Sequence, residues 1–118
     1  MEIPEELDLI SVFESLPIRK DETDIFHYDT STFLFENDKE LFEIILSPFY
    51  NEFTLKVKDK DTKEIFSYIE LLSVRKIEIV EDKKQSSKIR LSHGESDRYE
   101  NIIELTFKPI FKMAFREQ

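Results

Sequence analysis

At 118 residues, with 40% hydrophobic and 36% charged side chains, the chain has the size and apolar content of a single folded domain, 1–118, and falls outside the disordered class. It contains no cysteine, which excludes disulfides, thiolate metal sites and thiol nucleophiles and suits a reducing compartment. A formal net charge of −9 works against nucleic acid or an anionic membrane as partner, because either needs a dense basic surface.

The opening MEIPEELDLI carries acids where a secretory signal would carry lysine or arginine, and no apolar run approaches the roughly 18 residues of a membrane span, so the reading is cytoplasmic. Residues 4–16 read as a helix. Pro4 suits a first-turn position, Glu5 and Glu6 complement the helix dipole, and Leu9, Val12, Phe13 and Leu16 share one face. STFLFEN, KELFEIILSP and EIFSYIELL are apolar on both faces. Helix is an alternative for 39–46 and 63–72, but the runs are short, rich in Phe, Ile and Tyr and bounded by turn residues, which favours strand.

In FTLKVKDKD, Phe53, Leu55 and Val57 alternate with Thr54, Lys56 and Lys58, placing one face on a core and the other in water. SVRKIEIVED and KIRLSH repeat the pattern through Ile77, Ile79, Ile89 and Leu91, with DKKQSS between them as a hairpin loop. IIELTFK and FKMAFRE, separated by Pro109, continue it through Ile103, Leu105 and Phe107, then Phe111, Met113 and Phe115. Gly94 is the single glycine, so turns that need a positive φ fall to Asn37, Asp38, Asn51, Asp61 and Asp82, and connections of about three to seven residues are expected. The sum is a mostly β fold: an antiparallel β-sandwich or barrel of about seven to nine strands with a short N-terminal helix.

Catalytic machinery is missing from the pattern. His27 and His93 have no second histidine at metal-ligand spacing, and one glycine cannot build a nucleophile elbow, a P-loop or a dinucleotide fingerprint. Asp59, Asp61 and Glu70 match three positions of a calcium loop, but Lys63 and Glu64 occupy the positions that need a ligand and a glycine. The sequence therefore predicts a non-enzymatic protein without a cofactor or metal.

Charge is unevenly placed. Residues 1–52 hold fourteen acids and three bases, residues 53–118 twelve acids and fourteen bases. Asp21, Glu22, Asp24, Asp29, Glu36, Asp38, Glu40 and Glu43 form the candidate partner-binding set, an acidic face for a basic protein partner such as a toxin or nuclease domain. Phe26, Tyr28, Phe33, Phe35 and Phe42 lie among them as candidate anchors. This acidic first half, with FENDKELFEIILSPFYNEFTLKVKDKD followed by LLSVRKIEIVED, resembles small acidic bacterial immunity proteins that neutralise toxins. The resemblance implies a binding and blocking role and carries over no particular residue. Two other readings stand beside it: a small apolar ligand enclosed by Phe35, Phe42, Phe53 and Phe107, and an accessory subunit that associates by a strand edge through FKMAFRE.

Overall fold

The computed structural model describes residues 1–94 and 101–117. Period-2 sequence becomes strand wherever one face can be buried, and this gives nine strands among the described residues. β1 (Ile18–Arg19), β2 (Ser31–Glu36), β3 (Glu40–Ser47), β4 (Glu52–Asp59) and β5 (Ile65–Leu71) form one sheet in that order. β6 (Val74–Lys83), β7 (Ser86–His93), β8 (Asn101–Lys108) and β9 (Lys112–Glu117) form the second. Every pairing between these strands is antiparallel and joins strands adjacent in sequence, and Glu2 adds an isolated parallel bridge to Lys76 of β6. The sheets remain open, so the architecture is the sandwich alternative and not the barrel.

Register sorts the side chains. In the β3–β4 ladder Phe42, Ile44 and Leu46 stand opposite Val57, Leu55 and Phe53, and all six are buried. In the second sheet Ile89 and Leu91 stand opposite Leu105 and Ile103. Both inner faces enter one core, in which Phe107 of β8 meets Phe35 and Phe42 of the first sheet at ring-centroid separations of 5.1 and 5.2 Å.

The dense segments 39–46 and 63–72 are strands β3 and β5. The helix, α1 (Glu6–Phe13), is shorter than the expected 4–16. Glu14 turns left-handed at φ 53° and the Glu14 and Ser15 N–H groups donate to Ser11 and Ile10 carbonyls, while Pro17 disfavours helical geometry at Leu16, which is exposed. Eight residues are too few to hold a helix alone, so packing holds it. Leu9, Val12 and Phe13 are buried, and the Phe13 ring touches Phe33, Phe35 and Phe107.

Of the five residues expected to supply positive φ, Asn51 does so at 61°, whereas Glu14 and Lys63 take the other left-handed positions on a non-glycine residue among the described residues. Asn37 makes its turn through the side chain instead, its Oδ1 accepting from Lys39 and Glu40 N–H. Asp59 does likewise with the Asp61 and Thr62 N–H groups, in the turn between β4 and β5. The β6–β7 hairpin closes through Lys84 and Gln85 alone, shorter than the three residues expected, because the strands extend to the Lys83↔Ser86 pair. Removing the ring that joins the sheets is expected to be costly: Phe107→Ala should lower unfolding free energy by about 3–5 kcal/mol in chemical denaturation, whereas Leu34→Ala on the exposed face should change it by less than about 1 kcal/mol.

Candidate functional site

The eight candidate carboxylates are distributed over three places. Asp21, Glu22 and Asp24 are exposed on the β1–β2 connection, and Asp29 closes that connection. Glu36, Asp38 and Glu40 surround the β2–β3 turn at the other end of β2, roughly 20 Å away for a six-residue strand. Glu43 lies between them on the outer face of the first sheet, opposite Lys56 at 3.9 Å. At the β2–β3 turn the charge is countered: Glu36 pairs with Lys60 at 3.2 Å. Glu40 accepts from Asn37 Nδ2 at 2.7 Å and from the Phe111 N–H at 3.0 Å, while Asn37 Nδ2 also donates to the Phe107 carbonyl at 2.7 Å. Glu40 thus ties the two sheets together at that end.

Most of the candidate anchor rings serve the core. Phe33 and Phe42 are buried and Phe26 and Phe35 half-buried, leaving Tyr28 as the exposed member of that group. Outside it Phe49, Tyr50, Phe66, Tyr68 and Phe115 are also exposed. Phe49 and Tyr50, in a single 3-10 turn (Pro48–Tyr50) between β3 and β4, stand beside Tyr28, which sits on a matching turn (Phe26–Tyr28). The Tyr28–Phe49 and Phe49–Tyr50 centroid separations are 5.4 and 5.3 Å. Phe35, Phe42 and Phe107 pack on one another and Phe53 is buried, so the four rings belong to the core and enclose no common cavity, although Phe35 and Phe42 also border a surface depression. That depression, of about 360 Å³ along β2–β4, is lined by Leu34, Phe35, Leu41, Phe42, Lys56 and Lys58 among others.

His27 is exposed. His93 ends β7, half-buried against Phe115, and burial pushes its imidazole below the ordinary value. Among the described residues no group of three or more His, Asp or Glu side chains is placed to hold a metal ion, and no helix is long and apolar enough to cross a membrane.

Arg19 and Asp29 shape the acidic loop. Arg19 Nε donates to Asp29 Oδ2 at 2.7 Å, one terminal nitrogen reaches Glu6 at 3.2 Å, and the other donates to the Asp24 carbonyl at 2.6 Å. The guanidinium also sits 5.5 Å from the Phe26 ring centroid. Asp29, 5% exposed, accepts further from the Asp21 and Thr30 N–H groups at 3.1 and 2.8 Å. Burial alone would raise its carboxyl; the Arg19 hydrogen bond, the two backbone N–H groups and the guanidinium charge outweigh burial and hold it below the ordinary 3.8. Asp29 is therefore committed inward, folding the loop on which Asp21 and Asp24 are displayed. Because the folded value is depressed, its stabilisation is full above pH 3.8 and disappears as pH falls through the native value. Asp29→Asn should melt at lower temperature than the parent chain at neutral pH, and thermal scans should show the two converging as the parent carboxyl protonates.

No family model and no curated protein matches the sequence. The fold does match a solved structure: with a TM-score of 0.76 and 16% identity, 99% of this chain superposes on 96% of a chain in the "Contact-dependent growth inhibition toxin - immunity protein complex from Klebsiella pneumoniae 342". A likeness of this kind establishes a shared fold across the whole chain.

Proposed function

We propose that this chain is an immunity protein, a non-enzymatic cytoplasmic inhibitor that binds a toxin domain and blocks it. The observation that carries this reading is the whole-chain fold shared with a chain of a toxin–immunity complex. Acidity favours the inhibitor half of such a pair. A net charge of −9 makes a good attractor for a basic partner, since opposite charge raises the encounter rate before any contact forms. Of the candidate carboxylates, Asp21, Glu22 and Asp24 are best placed for this role because they are exposed and lie on a loop ordered from beneath by Arg19 and Asp29. Glu36, Asp38 and Glu43 contribute to the long-range field, while Asp29 and Glu40 support it structurally.

The test is capture followed by function. Proteins retained from host cells by the immobilised chain should include one that arrests growth when expressed alone, and co-expression of this chain should restore growth. Absence of any such growth-arresting protein would overturn the immunity reading. With that protein in hand, Asp21, Glu22 and Asp24 changed together to lysine should slow association about tenfold or more at low salt, with a smaller difference at high salt. An unchanged rate would remove the electrostatic part.

One observation favours a second reading. Met113 and Phe115 of the edge strand β9 point to the inner side of their sheet, opposite Leu105 and Ile103, yet are 51% and 60% exposed. An exposed apolar row beside a strand edge that has no partner among the described residues suits association through β9. Light scattering that reports a monomer over a wide concentration range would count against self-association.

A further inference from the structure

The strongest unassigned feature is the end of the first sheet where the β1–β2 and β3–β4 connections meet. The two connections are joined by a Thr30 Oγ1 to Ser47 Oγ hydrogen bond of 2.9 Å and by the contact of Tyr28 with Phe49. Tyr28, Phe49 and Tyr50 are 53%, 57% and 65% exposed, and Ile25 beside Tyr28 in the chain is 59% exposed. Single apolar side chains in water are ordinary, but three aromatic rings in consecutive contact form a patch of the composition enriched at protein interfaces.

The turns that carry the patch are tied by hydrogen bonds within the fold. Arg19 fixes the Asp24 carbonyl and, through Asp29, the Asp21 N–H, so the loop leading into Tyr28 is held at both ends. Asn51, left-handed at φ 61°, terminates the turn that carries Phe49 and Tyr50 and donates its N–H to the Pro48 carbonyl at 3.2 Å. Rings presented in a fixed arrangement lose little further freedom on binding.

Charge selects the occupant. Asp21, Glu22 and Asp24, on the connection that carries Tyr28, and Glu52, two residues after Tyr50, are exposed, against Lys20 as the exposed lysine of the first connection. Aromatic faces bordered by carboxylates suit a guanidinium, which stacks flat on a ring while its N–H groups reach the acids. An acidic or wholly apolar partner would leave those carboxylates desolvated and unpaired.

We propose that the aromatic end formed by Tyr28, Phe49 and Tyr50, bordered by Asp21, Glu22 and Asp24, is the docking surface for an arginine-bearing loop of the protein partner. This rests on the protein-blocking reading above and names the surface that performs it.

The probe is a peptide of alternating arginine and glycine titrated into the full, isotope-labelled chain. Amide shifts should centre on residues 21–28 and 48–52. Tyr28→Ala combined with Tyr50→Ala should weaken peptide binding about tenfold, whereas Asp38→Lys at the opposite end of β2 should weaken it less than about threefold. Both replaced rings are more than half exposed, so an unchanged melting temperature serves as the folding control; Tyr50→Lys, which keeps a long side chain and adds a repelling charge, should lose binding as well. Shifts spread evenly over the acidic residues, shifts centred on 36–43, or no binding would overturn the proposal. Peptide docking at this end without growth rescue would overturn the immunity reading and leave the surface standing. Growth rescue that survives the Tyr28 and Tyr50 double variant would overturn the surface and leave the immunity reading standing.

Discussion

The Phe107 ring is the interaction on which the architecture depends. It projects from the second sheet into Phe35 and Phe42 of the first and meets Phe13 of the helix, so one side chain contacts all three structural units. Neither sheet could bury its apolar face alone, and an eight-residue helix with no side-chain cap has little intrinsic stability. The aromatic contacts add specific edge and stacked geometry to ordinary burial, which fixes how the sheets sit relative to each other. Polar links at the margins then set the ends of the sandwich. Asn37 and Glu40 bridge the sheets at the β2–β3 turn, while the backbone bond from Val74 to Asn51 does so where the chain crosses over.

That division of labour decides which charges are available. Where carboxylates serve as joints, as Asp29 and Glu40 do, their oxygens are occupied by donors from the fold itself. Where they ride on a loop supported from below, they face water with the loop already shaped. The Arg19 guanidinium distinguishes the two classes, since it satisfies a buried acid, a carbonyl and a helix carboxylate at once and is itself raised above its ordinary value, chiefly by the Asp29 hydrogen bond.

Much of the strand pattern was legible because burial of one face leaves a two-residue period in the sequence. Phe53, Leu55 and Val57, Ile89 and Leu91, and Ile103, Leu105 and Phe107 all point inward as the alternation implied. The two-residue strand β1 carries no such period and was not legible, nor was Arg19, whose role depends on partners at positions 6, 24 and 29 brought together by folding. The acidic stretch 21–43 looked continuous because sequence adjacency hides the length of β2, which places Asp21 and Asp38 at opposite ends of a strand. Phe49 and Tyr50 sit in a segment apolar enough to read as core. Their exposure follows from the Pro48–Tyr50 turn, and only Pro48 and Asn51 hinted at it.

The wiring of the sheets has a consequence for assembly. Each strand finds its partner in the next one along the chain, and the passage from one sheet to the other takes just Leu72 and Ser73. The chain is therefore two zippers of neighbouring hairpins in series, a topology with cheap loop closures and quick nucleation compared with a Greek key. Each zipper would emerge from the ribosome with an oily inner face uncovered, and the first would have to wait for the second before either is shielded. For a molecule of this design, the interval between making residue 71 and making residue 107 is when it is most vulnerable to sticking to its neighbours.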